Sequence, residues 1–261
     1  MSIPADSWNP QQYDKYKSER SQPFYDLMNM LQSTSHPRVL DLGCGTGELT
    51  SELHHFVKAD QTCGLDSSDK MLEQARKHES ATLRFQKGAI ETWTTADKFD
   101  IVFSNAALQW CSDHPRLFAR IKNFLEPHGQ LAIQMPMNHD YPTHVLAKKM
   151  SEEEPWNSLL QGEAYDKYSS LLSPEKYATL LYHLGFKEQK VLQRVYGHQL
   201  ESRDDVVEWV KGSLLTYFQS RLSAQDYERF LREFKERLFK ELPDEKPFFY
   251  PFKRIFIWGQ L

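Results

Sequence analysis

Short apolar runs alternate with amphipathic stretches along the first half of the chain. The apolar runs predict strands at residues 38–42, 61–66, 82–86, 99–105 and 130–135. The amphipathic stretches predict helices, the clearest at 48–56 and around Met71. The run FDIVFSN (99–105) is continuously apolar, as in a strand buried on both faces. The alternation predicts an α/β fold with a parallel sheet.

The second half of the chain is less regular. Residues 137–172 are polar, acidic and helical in parts, a sixth strand is predicted at 185–196, and 203–241 read as one or two long amphipathic helices. The last segment, FKRIFIW (252–258), alternates like a final strand. At the other end, helical spacing from Tyr13 to Leu31 is interrupted at Pro23.

Composition narrows the class of protein. The 261 residues suffice for one α/β domain with an added cap. A net charge of −4 argues against a nucleic-acid partner. Cys44, Cys63 and Cys111 show neither CxxC pairing nor metal-ligand spacing, so we expect reduced thiols and no metal. The polar start and the lack of a long apolar run predict a cytoplasmic protein with no membrane partner.

The most specific motif is DLGCGTG (41–47), which follows a predicted strand and opens a helix. Its glycines, Gly43, Gly45 and Gly47, allow a sharp turn and a close approach of backbone to a ligand. Asp66 ends the next strand, where a carboxylate can accept hydrogen bonds from both ribose hydroxyls of a nucleoside. A tight turn without a ligand is the alternative, and the combination of strand, loop, helix, strand and acid disfavours it.

The spacing of the glycines bears on which nucleoside binds. Dinucleotide-binding loops read GxGxxG, whereas this loop reads GxGxG and carries Asp41 two residues before its first glycine. A carboxylate there does not help to bind a pyrophosphate, but it suits an ammonium group. S-adenosylmethionine carries an ammonium and a sulfonium and no phosphate, so the loop favours it over NAD. A NAD(P)-dependent oxidoreductase is the alternative from another class.

DLGCGTG and GLDSSDKML (64–72) resemble the first two motifs of class I S-adenosylmethionine-dependent methyltransferases. The resemblance implies a Rossmann-like sheet of seven strands whose last two form an antiparallel hairpin. The segments at 7–23, 103–110, 133–146 and 252–258 further resemble trans-aconitate methyltransferases. The malonyl-carrier-protein methyltransferase of biotin synthesis shares the central motifs and is the alternative within the family.

The resemblance also implies roles for individual residues. Those expected at the donor, from its methionine part through the ribose to the adenine, are Asp41, Gly43, Gly45, Gly47, Asp66, Ser67, Met71, Gly88, Ala89 and Ile90. Asn105 is expected beside the amino-acid part of the donor with its backbone. Gln109 and Trp110 would face the acceptor. Tyr13 and Arg20 would help to close an N-terminal lid, and Arg20 is also expected to bind the cofactor.

The chain departs from the family pattern at two positions. Many relatives have an acidic residue where this chain has Ala89, which implies the loss of a hydrogen bond to adenine of about 1 kcal/mol. Trans-aconitate enzymes have a Gly-Leu-Arg stretch where this chain has Thr216. Candidate substitutes for the arginine are Lys211, Arg221 and Arg254.

We expect the acceptor to be a small organic acid or a carrier-bound acyl group. A carboxylate with a pKa near 4 is already ionised at neutral pH and needs no general base. His139, Tyr141 and His144 follow the fifth strand and are candidates for orienting the acceptor. A catalytically silent binding protein is the remaining alternative, and a monomer or weak dimer is expected.

These expectations divide the chain into three parts. Residues 1–36 are predicted to form a lid segment, 37–136 the cofactor-binding core, and 137–261 the rest of the sheet with a helical cap at the acceptor site. The helices of 203–241 carry many aromatic residues, which serve packing more often than they line a pocket.

Overall fold

A computed structural model describes residues 17–166 and 169–261, with side chains from residue 21 onward. The strands are β1 (Arg38–Leu42), β2 (Gln61–Asp66), β3 (Leu83–Lys87), β4 (Phe99–Asn105), β5 (Leu125–Pro136), β6 (Glu188–Leu200) and β7 (Phe248–Gln260). They form one sheet in the order β3-β2-β1-β4-β5-β7-β6. The pairs among β1 to β5 are parallel, and β7 runs antiparallel to both β5 and β6.

Helices connect the strands and form a cap beyond them. They are α1 (Lys17–Met28), α2 (Glu48–Phe56), α3 (Asp69–Ala75), α4 (His114–Lys122), α5 (Pro142–Glu152), α6 (Trp156–Leu159), α7 (Pro174–His183), α8 (Arg203–Lys211), α9 (Thr216–Gln219) and α10 (Ala224–Leu238). Short 3₁₀ helices follow at Arg76–His78 and Leu108–Trp110. No helix among the described residues is long and apolar enough to span a bilayer.

The predicted fold class is confirmed. The seven-stranded sheet ends in an antiparallel hairpin of β6 and β7, and β1, α2, β2 and β4 have the predicted bounds. The third strand is shifted by one residue and the sixth begins three residues and ends four residues later than predicted, while the fifth and the last strands extend beyond their apolar runs at both ends. Hydrogen bonding to a neighbouring strand continues past the point where hydrophobic alternation ends, so the apolar pattern underestimates strand length.

Two details of the helix predictions were wrong. The N-terminal helix is not interrupted at Pro23, because α1 continues through it and buries Phe24 and Leu27 against the sheet, which offsets the missing backbone hydrogen bond. The segment 203–241 forms three helices, with breaks at Gly212 and at Ser223, whose side chain caps α10.

Helix α7 was not predicted. Its start has the usual signals, since Ser173 accepts a hydrogen bond from the backbone N–H of Lys176 and Pro174 occupies the first turn. Its buried residues, Tyr177 and Leu181, stand four positions apart. Only two buried positions in ten residues are too few for the apolar pattern to reveal a helix.

The two faces of the sheet are covered differently. One face packs against α4 and α7, with Leu131, Ile133 and Ile255 among its strand residues. The other face packs against α1 and α2, with Ala132 and Phe256 among its strand residues. Because alternate residues of a strand face opposite sides, these clusters fix the side on which every neighbouring strand residue lies.

The hairpin of β6 and β7 extends beyond the carboxyl edge of the parallel strands. Residues 254–260 of β7 pair with β5, whereas 248–253 pair with β6 alone. This overhang packs with α5, α6, α8, α9 and α10 in a separate, aromatic-rich cluster. The cap is therefore built on the overhang, directly beyond the carboxyl ends of the strands, where α/β proteins bind ligands.

A buried polar pair stabilises the contact between α4 and α7. His114 Nε2 lies 3.1 Å from the carbonyl oxygen of Leu108, and Nδ1 lies 2.6 Å from the hydroxyl of Tyr177. Burial lowers the pKa of His114, which favours a neutral ring that donates from Nε2 and accepts at Nδ1.

Replacing Tyr177 with phenylalanine is expected to lower the free energy of unfolding by about 1–3 kcal/mol, because Nδ1 of His114 loses its buried partner. Urea denaturation measures the change. Tyr182→Phe is the matched control, since Tyr182 lies on the same helix and is 71% exposed. Equal effects in the two variants would contradict the role of the hydrogen bond.

Candidate functional site

The glycine loop joins β1 to α2, and all three glycines have positive φ. A Cβ on Gly43 would lie 2.2 Å from the Cβ of Ala107, so the backbone approaches the loop after β4 as closely as it can. A Cβ on Gly45 would meet nothing within 4 Å. The absence of a Cβ at Gly43 therefore allows close packing within the protein, whereas Gly45 faces open space. Gly47 precedes α2 and packs on α3 at Ala75.

Asp41 is a buried carboxyl group at the carboxyl end of β1. It is 4% exposed, and its Oδ2 accepts a hydrogen bond of 2.6 Å from the hydroxyl of Thr50. Burial raises the pKa of Asp41 to about 7, the nearby charge of Asp66 adds to the rise, and the hydrogen bond from Thr50 opposes it. A cation placed beside Asp41 would favour its ionised form.

Asp66 stands beside the glycine loop at the end of β2. Its Oδ2 accepts a hydrogen bond of 2.9 Å from the backbone N–H of Gly45, and its Oδ1 accepts one of 2.9 Å from that of Ser68. Burial raises the pKa of Asp66, and these hydrogen bonds counteract the rise. The backbone of Ser67 also acts on this carboxyl group, and an ionised carboxylate has about four acceptor positions, so it retains capacity for a ligand.

The residues predicted around the adenine lie near the ends of β2 and β3. Gly88 donates its backbone N–H to the carbonyl of Asp66 and packs against Trp93, with no space for a Cβ. Ala89 is exposed, and Ile90 approaches the Gly43 position within 3.7 Å. Nearby, the predicted residue Ser67 is exposed and Met71 is buried in the first turn of α3.

The loop after β4 lies beside the glycine loop. Asn105 ends β4, and its Oδ1 is a buried atom without a hydrogen-bond partner. Gln109 donates to the carbonyl of Ala106 at 2.7 Å, while its Oε1 is buried and unpartnered. Trp110 is half-buried and packs in the same 3₁₀ turn. Ala107, which stands between Asn105 and Gln109, is the residue of this loop that contacts the backbone at Gly43.

A model of the methyltransferase domain family matches residues 33–196, which include the whole glycine loop, Asp66 and the loop after β4. The match covers more than half of the chain. The chain belongs to the S-adenosylmethionine-dependent methyltransferases. S-adenosylmethionine is therefore the methyl donor, and the family argues against a dinucleotide in this loop.

Curated relatives resemble this methyltransferase over nearly its full length. A trans-aconitate 2-methyltransferase of Deinococcus radiodurans is 39% identical over 252 residues, which cover 95% of this chain and 96% of the relative. Another of the same name, from Variovorax paradoxus, is 36% identical and covers 97% of this chain and 98% of its own length.

Solved structures share the fold of this methyltransferase. The YcgJ protein of Bacillus subtilis superposes with a TM-score of 0.61 at 16% identity, over 92% of this chain and 97% of that one. A phosphoethanolamine N-methyltransferase of Haemonchus contortus, solved with S-adenosylhomocysteine, gives a TM-score of 0.56 at 20% identity, over 92% of this chain and 52% of its own.

The residues predicted to orient the acceptor are not equally placed. His139 is exposed. Tyr141 is half-buried before α5, with its ring 5.0 Å from that of Tyr250, and burial raises its pKa to about 12. His144 is buried, with Nδ1 3.0 Å from the hydroxyl of Thr143. Tyr141 and His144 lie within the cap, whereas His139 lies at its surface.

The three cations considered as substitutes for the missing arginine differ in their contacts and in their burial. Lys211 pairs with Glu208 at 2.6 Å, and Arg221 contacts Glu163 at 3.4 Å on the cap. Arg254 is 5% exposed and lies on β7. Thr216, at the position of the departure, donates its hydroxyl to a backbone carbonyl within the cap. Tyr13 and Arg20, which were predicted to help close a lid, lie outside the described side chains.

Two residues that the sequence analysis did not select lie beside the predicted site residues. Ser68 caps α3 and holds Asp66 through its backbone N–H, although only its neighbour Ser67 was predicted. Its position before an acidic first turn is a signal that could have identified it. Gln134 on β5 is fully buried, and neither atom of its amide has a hydrogen-bond partner. A glutamine inside the apolar run QLAIQM is itself the signal for Gln134.

Proposed function

We propose that this methyltransferase transfers the methyl group of S-adenosylmethionine to a carboxylate oxygen of a small organic acid. The main support for this proposal is that the chain is 39% identical to a trans-aconitate 2-methyltransferase over 95% of its length. The cap over the carboxyl edge of the sheet supports an acceptor of small size, because its aromatic residues Phe218, Phe230 and Phe234 are packed together as a core.

The donor fits the residues around the glycine loop. The open side of Gly45 gives the donor room to lie against the backbone, and the free acceptor positions of Asp66 suit the ribose hydroxyls. Asp41 suits the ammonium group, while Gly88 and Ile90 border the adenine. When bound, S-adenosylmethionine supplies an electrophilic methyl group on a sulfonium, whose carbon–sulfur bond breaks as the new carbon–oxygen bond forms.

The protein has three tasks in this reaction: to bind the acid, to align its oxygen with the methyl carbon and sulfur, and to exclude water. Holding reactants in line supplies about 7–11 kcal/mol of a barrier. An ionised carboxylate loses no proton when it is methylated, so the chemistry calls for no general base. We therefore assign Gln109, Trp110, Tyr141 and His144 to positioning the acceptor rather than to proton transfer.

The activity is tested by incubating the protein with S-adenosylmethionine and a panel of acids: trans-aconitate, other di- and tricarboxylates, fatty acids and malonyl-carrier protein. Mass spectrometry of each product locates the added methyl group. Ester formation on a small acid is the expected result. Methylation of malonyl-carrier protein alone, or of nitrogen in place of oxygen, would refute the proposal.

The affinity for the donor is expected to increase as the pH rises from 5.5 to 7.5. Burial raises the pKa of Asp41 to about 7, so below this pH the residue is protonated and cannot pair with an ammonium. The apparent Kd should fall by up to about tenfold per pH unit in this range. The stability of the unliganded protein should have the opposite pH dependence. Asp41 contributes to the free energy of unfolding while it is protonated at low pH, and this contribution is lost as the pH rises through 7.

Calorimetry with S-adenosylhomocysteine measures this pH dependence, and the range ends below the pKa of an α-amino group. Asp41→Asn is the control, since an amide does not titrate. Its dissociation constant should vary far less with pH, leaving only the contribution of Asp66, whose pKa burial also raises. An equal pH dependence in the variant would exclude Asp41 as the partner of the ammonium.

A further inference from the structure

Polar side chains form a row across the sheet on the face that packs against α1. Asp41 shares a face with Val39 on β1, and Asn105 shares one with Phe103 on β4; both Val39 and Phe103 belong to the cluster under α1. The strands are in register, with Asp41 opposite Phe103. Asp41 and Asn105 therefore lie on the same face, at the carboxyl edge.

The row continues onto the two strands that follow in the sheet. Gln134 is directly opposite Asn105 and shares the face of Ala132. Arg254 shares the face of Phe256, which is directly opposite Gln134. Arg254 and Gln134 are thus diagonal neighbours on one face, with Cα atoms roughly 7–8 Å apart and side chains within common reach of a small ligand.

Both residues are unusual for the interior of a sheet. The Gln134 amide is fully buried without a hydrogen-bond partner for its nitrogen or its oxygen, which costs about 1–3 kcal/mol per unsatisfied group. Arg254 holds a permanent positive charge at 5% exposure, with its guanidinium 4.8 Å from the ring centre of Phe252. A donor amide and a buried guanidinium together favour a carboxylate ligand.

We propose that Arg254 and Gln134 bind a carboxylate of the acceptor other than the one that is methylated, which makes the substrate a di- or tricarboxylate. This inference rests on the proposed function. A guanidinium bound to the reacting carboxylate would withdraw negative charge from the oxygen that attacks the methyl group. Neighbouring strands lie about 4.8 Å apart, so β7 is about 10 Å from β4. This distance leaves room for an acid whose reacting carboxylate faces the donor and whose second carboxylate binds Arg254.

The other cations near this position are all more exposed than Arg254. Arg194, directly opposite on β6, forms an ion pair of 2.8 Å with Asp26 of α1, and Asp26 also accepts a hydrogen bond from Tyr196. Lys253 faces the opposite side of the strand and pairs with Asp140. Lys211 and Arg221 are held by carboxylates of the cap, as described above.

The test compares Arg254→Gln with Lys253→Gln, which removes the same charge from the adjacent residue on the other side of the strand. Calorimetry with trans-aconitate and protein saturated with S-adenosylhomocysteine reports acid binding without turnover. We expect the Kd for trans-aconitate to rise about 10- to 100-fold in Arg254→Gln and to change less than twofold in Lys253→Gln. Where turnover occurs, KM should rise while kcat changes little.

Crotonate has one carboxylate, which must lie at the methyl group for the acid to be methylated. Its kcat/KM should therefore be low in wild-type protein and change less than twofold in Arg254→Gln. If Arg254→Gln lowers kcat/KM for crotonate as much as for trans-aconitate, Arg254 holds the reacting carboxylate and the proposal is overturned. An unchanged Kd for trans-aconitate overturns it as well.

Two further measurements separate other failures. If Arg254→Gln does not fold, Arg254→Lys takes its place. Lysine keeps the positive charge but loses the planar guanidinium that donates two hydrogen bonds to a carboxylate, so the Kd for trans-aconitate should rise about 3- to 10-fold. An unchanged Kd in Arg254→Lys also counts against the proposal. If the wild-type protein methylates no acid yet binds trans-aconitate through Arg254, the proposed function fails and the binding subsite stands.

Discussion

Alanine in place of Gly43 is expected to lower the free energy of unfolding by about 2–5 kcal/mol. The positive φ of 83° disfavours any residue with a Cβ by about 1–2 kcal/mol. The new Cβ would also lie 2.2 Å from that of Ala107, and relieving such overpacking costs about 1–3 kcal/mol more. Ala107 cannot move freely, because Ala106 before it is tied to the carbonyl of Gln134.

Gly45→Ala in the same loop separates these two costs. Gly45 also has a positive φ, 54°, but a Cβ there meets no atom within 4 Å. We expect a loss of about 1–2 kcal/mol in stability and a clear loss of donor affinity, since the open side of Gly45 faces the ligand. Urea denaturation without ligand, followed by calorimetry with S-adenosylhomocysteine, measures both. Equal destabilisation of the two variants would show that the contact with Ala107 is unimportant.

Removing the carboxylate of Asp66 is expected to raise the Kd of the donor about 10- to 100-fold. In Asp66→Ala the ribose hydroxyls lose their acceptor, a loss of about 1–3 kcal/mol. The backbone N–H groups of Gly45 and Ser68 lose theirs too, so the loop itself becomes less ordered. The affinity should therefore fall by more than the hydrogen bonds to the ribose alone would account for.

Two comparisons isolate the contribution of Asp66. Asp69→Asn changes an exposed carboxyl group nearby that pairs with Lys87, and should leave the Kd unchanged. A donor analogue without ribose hydroxyls should bind wild-type protein and Asp66→Ala with similar affinity, apart from the loss due to loop order. If Asp66→Ala binds the complete donor as wild type does, Asp66 is not the ribose ligand.

The parallel half of the sheet could be predicted from the sequence because its central strands, β1 and β4, are buried on both faces. A continuous apolar run such as FDIVFSN records that burial directly. The overhanging hairpin is different: Leu192, Val195 and Phe249 are exposed, so polarity and burial are uncoupled there and the strand ends could not be located. Pairing between strands, which the apolar pattern does not encode, sets those ends.

The donor half of the site was predictable for a similar reason. Asp41 and the glycines lie in or beside one loop, and the parallel pairing of β1 with the next strand of the chain, β2, brings Asp66 against it. The row of Asn105, Gln134 and Arg254 depends on the order and register of three strands, of which β5 and β7 are more than a hundred residues apart in the chain. Only the sheet itself shows that Arg254, and not Lys211 or Arg221, lies in line with Asn105.

The overhang of β7 joins acceptor choice to the last part of the chain. Residues 248–253 carry the cap, and Arg254 follows where the strand enters the sheet. Every donor contact proposed here comes from residues before 106. A chimeric protein that takes residues 106–261 from a relative should therefore inherit the acid preference of that relative while retaining its own donor affinity. Substrate range in such enzymes can then diverge by recombination at the end of β4, without rebuilding the glycine loop.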